Sequence, residues 1–390
     1  MLNTDLSKVS KSPVSQRPAA PADILQMRQC LRLADRMLGR TSPNPAVGCV
    51  IVRAGRTVGS GATAPGGRPH AEALALTQAG SAARGATVFV SFEPCAHFGQ
   101  TPPCARALIE ARVRRVVIGC IDPDPRVRGK GVAMLRRAGI EVTVGVLEEP
   151  CLKLNEGFIT RVRLGRPFTT LKLALSLDGR IAAQSGDSRW ISSEQSRKLV
   201  HRWRARCDAV MVGAGTVAAD NPELTCRLIR GHDPARVVID GALRSPPSAR
   251  LFHHRSPAPT LLVTSRANCA AAKRRYGGPG VEVIGVPARG REIALDVLMR
   301  LLADRGWTRV MIEGGARLAG SALRAGIVDE IAFFLAPLLL GSGRPAVEGL
   351  GVVRVSKALG LEGMTLDRVG RDLMIRARVA RLKGKDLAAR

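Results

Sequence analysis

The sequence predicts an α/β protein built from two consecutive domains. Its 390 residues are more than one hydrophobic core normally organises. In both halves, short apolar runs of strand length alternate with segments of helical spacing, the pattern of layered α/β folds. Between the halves, a helical pattern over 152–162 runs into Gly165-Arg166-Pro167, which continues neither helix nor strand. The expected division is a disordered tail over residues 1–21, a first domain over 22–164 and a second over 165–390.

The polar, Pro- and Ser-containing start has no apolar signal core. Ile24, Met27, Leu31, Ala34 and Leu38 then recur at helical spacing, and Gly39 can end that helix. Thr41-Ser42-Pro43-Asn44-Pro45 is a loop with two prolines that hold Asn44 in an extended conformation. Strands over 47–53 and 57–61 flank Ala54-Gly55 as a hairpin. Helices over 70–80, 103–111 and 129–138 alternate with strands over 86–92, 115–120 and 140–146, giving a mostly parallel sheet after the opening hairpin.

Composition narrows the partners. No apolar run reaches the ~20 residues of a membrane span. Net charge is +28, yet of the 60 basic residues only ten are Lys, and the arginines spread along the whole chain. With one Tyr and three Trp to stack on bases, this reads as Arg-rich bias rather than a nucleic-acid surface. A positive surface also steers phosphorylated substrates. Nine scattered cysteines form no disulfide framework and suit a reducing, cytoplasmic setting.

The chemistry of the first half lies between Pro69 and Cys104. Pro69-His70-Ala71-Glu72 precedes a helix, and Glu93-Pro94-Cys95-Ala96-His97-Phe98-Gly99-Gln100-Thr101-Pro102-Pro103-Cys104 follows a strand. His, Glu and two Cys in this order are the signature of a zinc nucleobase deaminase. Three protein ligands leave the fourth zinc position for water. His70 and Glu72 are about 200° apart on an ideal helix, so spacing alone does not join them. A thiolate at the start of the Cys104 helix would gain from the helix dipole. Eight residues separate the thiols, where the common signature has two. His97, inside that insert, is an alternative ligand to the thiols.

Thr41 to Gly48, Pro69 to Glu72, Glu93 to Cys104 and Asp122-Pro123-Asp124-Pro125 closely resemble the deaminase half of the bifunctional riboflavin-biosynthesis deaminase–reductase family. The resemblance implies a cytidine-deaminase-like α/β/α sandwich. It also implies hydrolytic removal of the 2-amino group of 2,5-diamino-6-(5-phosphoribosylamino)pyrimidin-4(3H)-one. His70, Cys95 and Cys104 would hold Zn2+, Glu72 would move the proton of the attacking water, and Asn44 and His97 would contact substrate. The family usually has Asn where Asp124 stands.

In the second half, strands are expected at 168–174, 208–212, 236–240, 260–264, 281–286, 309–312, 328–335 and 372–379, with a helix at 193–205. Glu313-Gly314-Gly315-Ala316 joins strand to helix, a turn that lets backbone N–H groups approach a phosphate. It is not the Gly-x-Gly-x-x-Gly dinucleotide fingerprint.

Leu175 to Gly179, Ser188 to Ile191, Gly213 to Val217, Asp220 to Thr225 and Glu313 to Gly315 resemble the reductase half of the same family, whose fold is like dihydrofolate reductase. The implied step is hydride transfer from NADPH to the opened ribose. By that resemblance Ala174, Trp190, Thr216, Asp220 and the turn Gly315, Ala316, Arg317, Leu318, Ala319, Gly320 and Ser321 bind the cofactor. Ser188, Arg204, Leu224, Arg227 and Glu313 would face substrate, the two arginines as forks for its 5′-phosphate. Lys172 would orient the ribosyl end. The family also implies a homo-oligomer, dimer or tetramer. Two other readings stand beside this one: a zinc-dependent nucleic-acid or nucleoside deaminase with a non-catalytic second domain, and a zinc-stabilised binding module.

Overall fold

A computed structural model describes residues 20–98, 102–253, 256–290 and 292–380. The expected tail up to residue 19, and Gly99, Gln100 and Thr101 of the thiol insert, lie outside the described residues. The chain divides into two compact units. One comprises residues up to Met37 and Asn44–Ile159, the other Leu38–Pro43 with the chain from Thr160.

The first unit opens with helix α1 (Pro21–Asp35), which begins on a proline at its first position, where no N–H is needed. β1 (Gly48–Arg53) and β2 (Arg56–Ala62) form the expected hairpin. Then come α2 (Ala71–Ala79), β3 (Thr87–Phe92), α3 (Cys104–Glu110), β4 (Arg115–Cys120), α4 (Lys130–Arg137) and β5 (Glu141–Val144). Two helices, α5 (Glu148–Leu154) and α6 (Glu156–Leu164), the latter running across the division at Thr160, replace the single helical pattern expected there. The sheet order is β2-β1-β3-β4-β5, antiparallel through β1 and parallel from β3 onward. β1, β3 and β4 fill the core with Val, Ile and Phe buried on both faces.

Two glycines set where α2 lies. A Cβ on Gly59 would stand 2.2 Å from the Ala75 carbonyl, and one on Gly61 2.5 Å from that of Ala71. At Gly59 and Gly61 β2 therefore has no side chain toward α2, which meets these positions with Ala71, Ala75, Ala79 and the Cβ of Leu74, while Gln78 accepts the Ser60 N–H at 2.8 Å. The helix lies almost backbone-to-backbone on the strand, which fixes the position of its first turn.

The second unit adds β6 (Phe168–Ser176), β7 (Arg180–Ala182), α7 (Glu194–Arg204), β8 (Ala209–Gly213), α8 (Ala214–Asp220), β9 (Ala235–Ile239), β10 (Thr260–Ser265), α9 (Cys269–Tyr276) and β11 (Val281–Val286). The ribbon β12 (Ala288–Arg289) and β13 (Glu292–Ile293) leads to α10 (Leu295–Asp304), β14 (Arg309–Glu313), α11 (Ala316–Arg324) and β15 (Glu330–Ala336). β16 (Arg344–Pro345), β17 (Leu361–Val369) and β18 (Asp372–Val379) complete it. The main sheet runs β11-β10-β9-β8-β14-β6-β15-β18-β17, parallel as far as β15 and antiparallel over its last two pairings. β17 is not among the expected strands. Nearly every residue in it is exposed, so no buried alternation marks it.

Candidate functional site

In the first unit, His70 is the N-cap of α2, with extended backbone (φ −69°, ψ 158°), and Glu72 is the second helical residue. The ideal-helix angle between them therefore does not apply: His70 leaves the helix axis before Glu72 joins it. Cys95 follows β3, and Cys104 is the first residue of α3. The donor atoms of His70, Cys95 and Cys104 lie within 4.8 Å of one another. His70 Nδ1 is 3.3 Å from Cys104 Sγ and 3.7 Å from Cys95 Sγ. The edge of a tetrahedron around zinc with one His and one Cys ligand is about 3.5 Å, so spacing and donor chemistry both fit the ion. His97 is exposed and outside this cluster, which removes it as an alternative ligand among the described residues.

The helix start acts differently from expectation. The Cys104 backbone N–H donates to Cys95 Sγ at 3.3 Å, so α3 addresses its neighbour's sulfur rather than its own. The Cys104 thiol, this amide and His70 hold the Cys95 thiol well below its usual range despite burial. Cys104 is pushed up by the neighbouring Cys95 sulfur and by burial. Glu72 is 4% exposed, and burial pushes its carboxyl up to about 7, with Cys95 adding and His70 opposing. A carboxyl poised there can both accept and return a proton.

The support beneath Cys95 was not legible in the sequence. Glu93 accepts four backbone N–H bonds: from Gly131 (3.0 Å) and Val132 (3.2 Å) on one oxygen, from Gly129 (3.0 Å) and Asp122 (3.2 Å) on the other. It thus caps α4 in place of Gly129, which has no side chain, and locks the end of β3 to the 122–132 loop. In that loop Asp122 is pushed up to about 7 by burial, and Arg126 pairs with Asp124. Asn44 donates its amide to the Gly67 carbonyl at 2.8 Å, bracing the turn that delivers His70.

The second unit holds a cavity of about 1480 Å³ along the C-terminal ends of its central strands, the edge where open α/β sheets bind ligands. Lys172 and Ala174 reach it from β6, Glu313 from β14, and Thr216 and Asp220 from α8. Ser188, Trp190, Leu224 and Arg227 line it from loops. Gly315, Ala316, Arg317, Leu318 and Ser321 line it from the turn into α11, but Ala319 and Gly320 do not. Ala319 is fully buried in the core, and a Cβ on Gly320 would meet the Glu348 carbonyl at 1.7 Å. The helical turn carries these two residues to the face packed on protein. Positive φ at Gly314 (84°) and Gly315 (82°) opens the backbone beside Thr216.

One expectation changes. Arg204 is not a free phosphate fork: its Nε and Nη2 bind Glu313 at 2.6 and 2.8 Å, and its Nη1 the Thr225 carbonyl at 2.9 Å. Burial pushes Glu313 up, but Arg204 and Lys172 outweigh it and hold the carboxylate below its usual range. Lys172 is pulled down by burial, with Glu313 opposing. Arg227, half-exposed and 3.9 Å from Glu223, is the freer cation. Trp190 is 59% exposed and carries Arg197 over its ring at 4.4 Å, a stacking partner the sequence did not suggest.

Comparison with known proteins agrees with both halves. Residues 22–120 match the cytidine and deoxycytidylate deaminase zinc-binding region, and residues 167–375 the RibD C-terminal domain. The chain is 41% identical over 350 residues to riboflavin biosynthesis protein RibD of Aquifex aeolicus, covering 90% of this chain and 96% of that one. The chain belongs to the RibD family. Among solved members, Acinetobacter baumannii RibD (form 1) superposes with a TM-score of 0.81 at 38% identity, covering 92% of this chain and 99% of that one. The diaminohydroxyphosphoribosylaminopyrimidine deaminase/5-amino-6-(5-phosphoribosylamino)uracil reductase of Thermotoga maritima gives 0.82 at 36%, with the same coverage. The family's architecture, a cytidine-deaminase-like domain followed by a reductase domain, is the one expected from the sequence. No helix among the described residues is long and apolar enough to cross a membrane.

Proposed function

We propose that the chain is a bifunctional enzyme of riboflavin biosynthesis. It removes the 2-amino group of 2,5-diamino-6-(5-phosphoribosylamino)pyrimidin-4(3H)-one by hydrolysis, then reduces the ribosyl group of the product to ribityl with NADPH. The observation that carries the first step is the three-donor cluster of His70, Cys95 and Cys104 with Glu72 in the first turn beside it. These three residues would hold the zinc, which when bound supplies Lewis-acid activation of water. Glu72 takes the proton from the attacking water and delivers it to the ring nitrogen and the departing ammonia. Asn44 braces the His70 turn, and His97, exposed on the thiol loop, would contact substrate.

For the second step NADPH, when bound, supplies the hydride. The glycine turn into α11, with Thr216, takes its phosphates on backbone N–H groups, and Ala174, Trp190 and Asp220 complete its contacts. Lys172 presents its ammonium to the reducible end of the sugar, with Glu313 beside it held by Arg204. Ser188, Leu224 and Arg227 contact the rest of the substrate, Arg227 taking the 5′-phosphate.

The two activities divide between residues 22–164 and 165–390. We assign the working form to a homo-oligomer joined through β17, the edge strand of the main sheet, which exposes Met364 (69%) and Leu366 (62%). Its substrates are small molecules rather than nucleic acids, and its compartment is the cytoplasm. The direct test follows ammonia release from the diaminopyrimidine phosphate by zinc-loaded protein without NADPH. Release at turnover rate supports the reading, and its absence rejects the deaminase half.

A further inference from the structure

We infer that Arg244, on the turn after β9, recognises the 2′-phosphate of NADPH and sets the preference for NADPH over NADH. The inference rests on the reductase reading above. The cavity crosses the ends of four neighbouring strands in the order β6, β14, β8, β9. Chemistry belongs at β6 and β14, where Lys172 and Glu313 stand, so the nicotinamide must lie there. The glycine turns after β14 and β8 offer backbone to the diphosphate. Three strand spacings of about 4.8 Å put the end of β9 about 14 Å from β6. That is the reach at which an extended dinucleotide sets down its adenosine ribose.

At the end of β9 the chain places an acid and a base with opposite fates. Asp240 would repel a 2′-phosphate and bind a free 2′-hydroxyl, but both of its oxygens are occupied. One accepts the Arg244 N–H at 2.9 Å, the other the Ser245 N–H at 2.7 Å. The carboxylate is 2% exposed, folded into its own turn. Arg244 contributes only its main chain to that turn. Its side chain lies on the exposed cavity wall and makes no ion pair among the described residues. By contrast, Arg317 is 3.5 Å from Glu348, and Arg324 is paired with Glu292. A guanidinium fork without an acidic partner, beside an acid whose two oxygens are both taken up by its own turn, suits a phosphomonoester.

The substrate's 5′-phosphate has the same chemistry, so the experiment must separate the two sources. Full-length wild type, Arg244→Ala and Arg244→Lys are assayed for reduction of the deaminated substrate with NADPH and with NADH. Binding of adenosine 2′,5′-bisphosphate and of 5′-AMP is measured by calorimetry. Arg244→Ala should raise KM for NADPH and Kd for the bisphosphate by about 10- to 100-fold. KM for NADH, Kd for 5′-AMP and KM for the deaminated substrate should not move. Arg244→Lys should recover part of the loss, as a point charge in place of a fork. Equal losses with both cofactors, a raised substrate KM, or unaltered bisphosphate binding each overturn the assignment. Wild type that binds 5′-AMP but gains nothing from the 2′-phosphate overturns it while sparing the reductase reading. Wild type that binds neither nucleotide overturns both.

Discussion

Arg204 and Glu313 grip each other through two parallel hydrogen bonds of 2.6 and 2.8 Å, each side chain about 11% exposed. The pair converts what looked like two independent substrate contacts into one rigid wall beside Lys172. Removing one partner strands a buried charge. Arg204→Ala should therefore destabilise the second unit by about 3–5 kcal/mol, read as a lower denaturant midpoint, and should lower reductase turnover. Ammonia release by the first unit should be unaffected. A variant with unaltered midpoint would mean that the pair is not formed in solution.

Glu72→Gln keeps the shape of the side chain and removes its ability to exchange a proton. Deamination should fall by about 100- to 10,000-fold while zinc content, measured by atomic absorption, stays near one per chain. Reduction of pre-deaminated substrate should proceed normally. Loss of zinc in this variant would assign Glu72 to metal binding instead.

Cys104→Ser should lose zinc during dialysis against a chelator that leaves wild type loaded, because both sulfurs are needed to complete the ligand set. Deamination should disappear with the metal, and NADPH oxidation on the deaminated substrate should persist. Retention of zinc by the variant would point to a different ligand.

Glu93→Ala would leave four backbone N–H groups without their acceptor at the base of the zinc loop. A cost of roughly 3 kcal/mol is expected, seen as earlier unfolding of the first unit, with faster zinc loss to a chelator. Glu93→Gln should rescue only part, since its NH2 faces donors rather than acceptors. Full rescue by Gln would show that volume matters more than charge.

His201 supplies a pH prediction. Burial pushes its imidazole down to about 4, with Arg204 and Arg227 adding to the effect. Its Nδ1 lies 3.4 Å from the Leu228 N–H, an acceptor role open only to the neutral ring. The folded value lies below the unfolded one of about 6.5, so the unfolded chain binds the proton more readily. Stability of the second unit should fall as pH drops below about 6.5 and level off near 4. His201→Gln should flatten that slope, and an unchanged pH profile would contradict the assignment.

Much of this was readable in advance, for physical reasons. Strong apolar runs such as Val88–Phe92 and Val116–Cys120 must be buried strands, and they are. The cluster of His70, Cys95 and Cys104 was visible because metal chemistry restricts residue type so tightly. What escaped was long-range hydrogen bonding. Glu93 serves amides up to 39 residues away, and Asp240 folds into its own turn. Neither leaves a periodic signal. Arg204 is expected from the sequence to fork a phosphate, and nothing local marks its pairing with Glu313, 109 residues on. Ala319 and Gly320 belong to the expected stretch 315–321, but a helix presents only one face to a ligand, and these two lie on the other. β17 stayed hidden because an exposed edge strand has no buried alternation to betray it.

Two consecutive reactions by one chain on one small phosphorylated pyrimidine leave products that differ in mass. Mass spectrometry of the products formed by zinc-loaded protein from 2,5-diamino-6-(5-phosphoribosylamino)pyrimidin-4(3H)-one, with and without NADPH, distinguishes them. Without NADPH the product should be the deaminated ribosyl compound, with NH exchanged for O. With NADPH the same compound should gain two hydrogens as its ribityl form. Deaminated but unreduced product in the presence of NADPH would show that the second unit does not act as the reductase, and substrate returned unchanged in both cases would rule out the deaminase as well.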